Sequence, residues 1–130
     1  MYSTHQKGVL GELEFALHLI NQGYTVLQPL NPNSSYDLVT EKDGVFYRIQ
    51  VKYLTLRHGI LRIELERPKR QTLSYRQRGV DAIGVFESTQ HKFYLIPIKK
   101  IPSVSDFWLR VSKPKNAQVK NIHFAKEFEI

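Results

Sequence analysis

Apolar and polar positions alternate with two different periods along the chain, and the switch between them divides it into elements. From residue 5 to residue 22, Val9, Leu10, Leu13, Phe15, Ala16, Leu17, Leu19 and Ile20 recur at about 100° per residue, which predicts one amphipathic helix. Ser3 followed by Gln6 matches a capping box, and Gly23 stands where a helix C-terminal glycine belongs. The stretch 23–27 starts a short strand, and Asn31-Pro32-Asn33-Ser34-Ser35 reads as a loop. Residues 36–40 and 45–54 read as two strands joined at Asp43-Gly44, a two-residue hairpin signal. Beyond His58-Gly59, Leu61, Ile63 and Leu65 alternate with Arg62, Glu64 and Glu66, which predicts a further strand. Residues 67–78 are basic and are expected to hold a short helix ending at Gly79. Strands are expected at 80–86 and, as its partner, at 92–98. Ser103 or Ser105 is expected to cap a short helix through Phe107 and Trp108. Residues 113–121 are polar and basic, and the last nine residues carry no periodicity that assigns them. The pattern gives an α/β or α+β domain with a mixed sheet, one domain over residues 1–130.

Two positions do not fit a purely structural pattern. Glu12 falls inside the apolar arc of the helix, between Leu19 and Ala16, where a carboxylate is costly unless something pairs with it. Glu14, on the polar face with Lys7, His18, Asn21 and Gln22, reads as an ordinary solvated carboxylate. The hairpin supplies the second position. With Asp43-Gly44 as the loop, Leu38 faces Ile49, Tyr36 faces Val51 and Asp37 faces Gln50. Opposed residues share a sheet face, so Asp37, Gln50 and Lys52 cluster on one side. Tyr36, Leu38, Tyr47, Ile49 and Val51 then form a core on the other. The bland alternatives are a glutamate whose stem packs while its head reaches an arginine, and a solvated polar strand face.

Composition narrows the class. Apolar residues make up 42% of the 130 residues and charged ones 24%, a globular balance. The absence of cysteine removes disulfides, thiolate zinc sites and cysteine nucleophiles, and fits a cytoplasmic protein. No apolar run is long enough to span a membrane, so no membrane partner is expected. Nineteen lysines and arginines against twelve acids leave +7, which favours a polyanionic partner. Arg67, Lys69, Arg70, Arg76 and Arg78 are the densest basic segment, with Tyr75 among them to stack on bases or to anchor the core. The five histidines lack metal-ligand spacing. The glycines stand singly, at turns and helix ends, so no phosphate loop is present, and no Gly-x-Ser-x-Gly occurs.

Asp37, then Gln50-Val51-Lys52 after a hairpin, preceded by Lys7-Gly8 and Glu12 on a first helix, resembles the PD-(D/E)XK nucleases. Within that superfamily the chain is most similar to the group I intron-encoded homing endonucleases, and less so to archaeal Holliday-junction resolvases. The likeness runs over residues 7–98. It includes Tyr75, the stretch from Val80 to Phe86, and Phe93-Tyr94-Leu95-Ile96-Pro97. Tyr36 replaces the motif's proline and Gln50 its second acid; the intron-encoded branch resembles this chain in using glutamine there. The resemblance implies a restriction-endonuclease-like core, a mixed sheet flanked by helices, and Mg²⁺-dependent hydrolysis of duplex DNA, with Mn²⁺ as a substitute. It implies Asp37 as principal metal ligand, supported by Glu12, the Gln50 amide and the Val51 carbonyl. Lys52 would orient the water and stabilise the phosphorane. Lys7, Arg67, Lys69, Arg70, Tyr75, Arg76 and Arg78 would meet DNA. Cutting both strands implies at least a dimer, and the resemblance a tetramer, with Trp108, Phe124 and Phe128 as contacts. A resolvase-like nuclease and an inert DNA-binding domain of the same fold are the alternatives.

Overall fold

The computed structural model describes residues 1–65, 79–102, 106–112 and 122–130. Helix α1 spans Thr4–Asn21 and begins at the expected capping box. Ser3 Oγ accepts from the Gln6 N–H at 3.2 Å, and Gln6 Oε1 accepts from the Ser3 N–H at 2.8 Å. Gly23, at φ +93°, closes its other end. Strands β1 (Thr25–Leu27), β2 (Leu38–Lys42), β3 (Val45–Leu54), β5 (Ala82–Glu87) and β6 (Lys92–Pro97) form one sheet in the order β1-β2-β3-β5-β6. Only the β3–β5 pairing is parallel, so the sheet is mixed as expected. The hairpin register is the expected one, from Lys42 opposite Val45 to Leu38 opposite Ile49. Asp43 and Gly44 both take positive φ, as such a turn requires.

One face of this sheet carries α1. Phe15 and Leu19, fully buried, pack on Leu38, Ile49, Phe86 and Phe93. Two features of this face differ from the pattern expected of the sequence. The apolar arc of α1 buries only its Gly11-Phe15-Leu19 seam; Val9, Leu13, Leu17 and Ile20 are exposed. Nor do all glycines mark turns or helix ends. Gly84 sits inside β5, where a Cβ would come within 2.7 Å of Phe15 Cζ, so its bare backbone makes room for the helix's main anchor.

The opposite face is covered, among the described residues, by a second, two-stranded sheet of β4 (Ile60–Glu64) and β7 (Asp106–Arg110). Leu61, Ile63, Phe107 and Leu109 point inward onto Ile83, Val85, Tyr94 and Ile96. The helix expected through Phe107 and Trp108 is therefore a strand. Phe107 and Leu109 are buried while Trp108 between them is exposed, a period of two that pairing with β4 makes decisive. The last residues, 122–130, form a 3-10 turn at Ala125–Phe128 with bridges to Tyr94 and Arg110. Phe128 packs on the core and Phe124 is half-buried, so of the three apolar residues expected as oligomer contacts only Trp108 is fully on the surface. The short helix expected over 67–78 lies outside the described residues. No helix among those described is long and apolar enough to cross a membrane.

Candidate active site

The site forms where β2 and β3 part. The β2 ladder ends at Leu38 opposite Ile49, with one further bond from the Asp37 N–H to the Ile49 carbonyl at 2.9 Å. Past that point the chain turns away through residues 31–36. The Val51 N–H then finds no backbone acceptor in β2, and Asp37 Oδ2 takes it at 2.8 Å. Because a strand residue's N–H and C=O share an edge, the Val51 carbonyl faces the same gap. Tyr36 follows the divergence too: it packs against the β4–β7 side of the core, not beside Leu38 as strict alternation requires.

Glu12 reaches the gap from the helix side. It is half-buried at the margin of the α1 seam and hydrogen-bonds to Asp37. Burial first, then the charge of Asp37 and that hydrogen bond, raise its carboxyl from 4.5 to about 7. Burial also raises Asp37 above its ordinary value, offset in part by the Val51 N–H, the Glu12 hydrogen bond and the positive charge of Lys52. Near neutrality the two carboxyls thus hold one proton between them for a substantial part of the time.

Gln50 and Lys52 lie on β3 on either side of Val51. They pair laterally with Ile83 and Val85, so their side chains share the face turned towards β4 and β7. The site therefore straddles the sheet: Glu12 on one side, Gln50 and Lys52 on the other, and Asp37 in the gap between. The structure brings Glu12, Asp37, Val51 and Lys52 into mutual influence. Gln50 is half-buried, and among the described residues no hydrogen bond joins it to either carboxylate. No three His, Cys, Asp or Glu residues converge among the described residues.

A cavity of about 190 Å³ opens on Glu12 and Asp37. Its far wall is the loop, with Gln28, Asn31 and Ser34, none of them marked as a site residue by the sequence. The loop is shaped by its own side chains: Asn31 Oδ1 accepts from the Asn33 N–H at 3.1 Å and Ser34 Oγ from the Tyr36 N–H at 3.4 Å. The Asn-Pro-Asn-Ser-Ser composition signalled that loop, but not which surface it would wall. Every donor atom in the gap is an oxygen, a set that suits a hard divalent cation. A carboxyl pair sharing a proton is also a place where such a cation can displace it.

Lys7 lies on the first turns of α1, exposed, with its ammonium 5.9 Å from the Tyr53 ring centre. Arg67, Lys69, Arg70, Tyr75, Arg76 and Arg78 lie outside the described residues. Glu14 is not simply solvated, since its carboxylate meets His91 Nε2 at 3.1 Å. His18 stacks on Phe93 with ring centres 4.0 Å apart and hydrogen-bonds to the Ile130 carbonyl at 3.0 Å. Both histidines serve packing away from the gap.

Comparison with known proteins bears on the fold and the family. A solved bacterial homing endonuclease, I-Ssp6803I, superposes with a TM-score of 0.77 over 98% of this chain and 89% of its own, at 22% identity. Hjc, a Holliday junction resolvase from Archaeoglobus fulgidus, superposes with a TM-score of 0.53 over 80% of this chain and 84% of its own, at 13% identity. At those identities the likeness is one of fold. Protein 5.3 of Escherichia phage T7 is 40% identical over 55 residues, which is 42% of this chain and 47% of that protein, so the match spans about half the relative's length. The family model for PD-(D/E)XK endonucleases matches residues 2–130. Nearly the whole chain is covered by that match, and the chain belongs to the PD-(D/E)XK endonuclease family.

Proposed function

We propose that this protein is a Mg²⁺-dependent endonuclease that cuts duplex DNA at a specific site, a homing enzyme. The observation that carries the reading is the Glu12–Asp37 carboxyl pair, hydrogen-bonded in the gap between β2 and β3 within reach of the Lys52 charge. Asp37 is the principal metal ligand, with Glu12, the Gln50 amide oxygen and the Val51 carbonyl completing the protein's share. A bound Mg²⁺ supplies an acidified water and neutralises phosphate charge. Lys52 holds the attacking water and meets the charge that develops on phosphorus. With two carboxylates, metal affinity stays modest until a DNA phosphate joins the site. The basic segment containing Arg67, Lys69, Arg70, Tyr75, Arg76 and Arg78 fits the same substrate, as does the net charge of +7.

One such centre breaks one strand per encounter, so a double-strand cut requires two copies about a two-fold axis. The protein therefore acts as a dimer at least, and a tetramer is the arrangement that its resemblance suggests. The deciding experiment incubates the chain with Mg²⁺ and three substrates: a genomic library of linear duplexes, a single random duplex and a four-way junction. Cutting at a defined duplex site supports the homing reading. Junction cutting without sequence preference replaces it with a resolvase, and binding without cutting replaces both with an inert domain. Light scattering of the free protein and its DNA complex tests the assembly; a monomer in both states that nicks one strand overturns it.

A further inference from the structure

We propose that the cleft between the first turns of α1, the end of β3 and the start of β4 holds the nucleic-acid backbone about two nucleotides from the bond that is cut, with Lys7 and Arg57 as its phosphate-binding cations. This rests on the nucleic-acid reading above and assigns a second contact to the same substrate. The cleft has a volume of about 360 Å³, and its polar lining is Lys7, Tyr53, Thr55, Arg57, Arg62 and Glu64. Arg62 is already engaged, by Asp106 at 2.8 Å and Glu64 at 3.8 Å. Lys7 and Arg57 are not: among the described residues neither meets a carboxylate. Two cations without counter-ions on one concave wall repel each other, and a phosphodiester chain is the ligand that relieves this along a line.

Both cations stand on fixed elements. Gly11 lets α1 approach β3 so closely that a Cβ there would lie 3.2 Å from Tyr53 Cβ. One turn earlier, Lys7 is thereby held over the Tyr53 ring. Arg57 opens a tight turn, with its N–H on the Ile60 carbonyl at 3.1 Å and the Ile60 N–H on its own at 2.9 Å. His58 and Gly59 between them both take positive φ, the two-residue hairpin geometry. Thr55, whose hydroxyl meets that of Ser88 at 2.9 Å, adds a neutral polar group to the wall.

Distance to the site follows from element geometry. Lys7 precedes Glu12 by about 7.5 Å of helical rise, and Tyr53 follows Val51 by about 6.6 Å of strand. Phosphates of one strand advance by about 3.4 Å each along a duplex axis, so the cleft lies about two steps from the carboxyl pair.

The test measures binding apart from cleavage. Anisotropy of a labelled random duplex is followed against KCl in EDTA for the full chain, Lys7→Ala, Arg57→Ala, the double variant, Arg57→Lys and Lys99→Ala. Lys99 lines a different cavity, with Tyr47 and Asp81. Each single cleft variant is expected to lower the slope of log affinity against log salt by about 0.9, and the double by about 1.8. Arg57→Lys and Lys99→Ala should match the wild type. Unchanged slopes in the cleft variants, an equal fall in Lys99→Ala, or no binding by the wild type each overturn the proposal. Cleavage with Mg²⁺ is scored separately. Lost slopes in a chain that cuts nothing support the cleft and sink the nuclease reading, whereas normal cutting with unchanged slopes sinks the cleft alone.

Discussion

Asp37 accepts the Val51 N–H at 2.8 Å, so a side chain occupies the ladder position that β2 abandons. That one bond anchors the candidate site at the strand divergence. It holds the Asp37 carboxylate on the Val51 edge, where Glu12 also reaches it.

Asp37→Asn keeps an acceptor for the Val51 N–H and removes the charge. We expect a loss of cleavage rate of about 10²–10³, with thermal stability little changed. Glu12→Gln should lose a comparable share. Single-turnover cleavage with Mg²⁺ measures both, and a near wild-type rate for Asp37→Asn would show that the carboxylate pair is not the metal site.

Gln50→Ala should lose a metal ligand and most of the rate, whereas Gln50→Glu should keep the fold and tighten Mg²⁺ binding, since the side chains are nearly isosteric. Titration calorimetry with Mg²⁺ beside cleavage rates separates the two. Equal activity in Gln50→Ala and the wild type would reduce Gln50 to a strand-face residue.

Glu87 carries the clearest dependence of stability on pH. Its carboxylate is fully buried at the end of β5. It accepts from the N–H groups of Leu56 at 3.0 Å, Thr89 at 2.9 Å and Gln90 at 2.8 Å, and from the Thr89 hydroxyl. Burial opposes ionisation, but these bonds outweigh it and hold the carboxyl below its usual 4.5. The stabilisation is therefore complete above about pH 4.5 and is lost as pH falls through the lowered value. Glu87→Gln turns an amide donor towards other donors and should cost about 1–3 kcal/mol at pH 7. Urea unfolding between pH 3 and pH 7 should show a shallower acid limb in the variant; an unaltered limb refutes the assignment.

Gly84→Ala should cost about 1–3 kcal/mol, because its Cβ meets Phe15 Cζ at 2.7 Å and Ile49 Cγ2 at 3.0 Å. Phe15→Leu in the same chain should recover part of that loss, a coupling that a double-mutant cycle in urea detects. Strict additivity would mean that the ring is not what Gly84 accommodates.

What was legible in the sequence is what neighbouring residues decide among themselves. The α1 cap rests on Ser3 and Gln6, and the hairpin register rests on Asp43-Gly44 and period-two alternation; both formed as expected. That register, extended, implied Asp37 opposite Gln50, but the ladder ends at Leu38 and Asp37 takes the Val51 N–H in the gap instead. Contacts between distant segments were not legible. Residues 106–110 became a strand because β4 offered an edge and a core for Phe107 and Leu109, an outcome no local signal at Ser103 or Ser105 contains. Glu14 met His91, Glu87 became the acceptor for Leu56, and Gly84 made way for Phe15, each across a gap in sequence that only chain packing closes. The candidate site divides the same way. Alternation placed Gln50 and Lys52 on one face of β3, but it failed at Tyr36 and Asp37, where β2 stops and Glu12 of α1 reaches the gap. Ladder termination and helix crossing depend on how distant elements pack, and a one-dimensional pattern does not encode where two of them diverge.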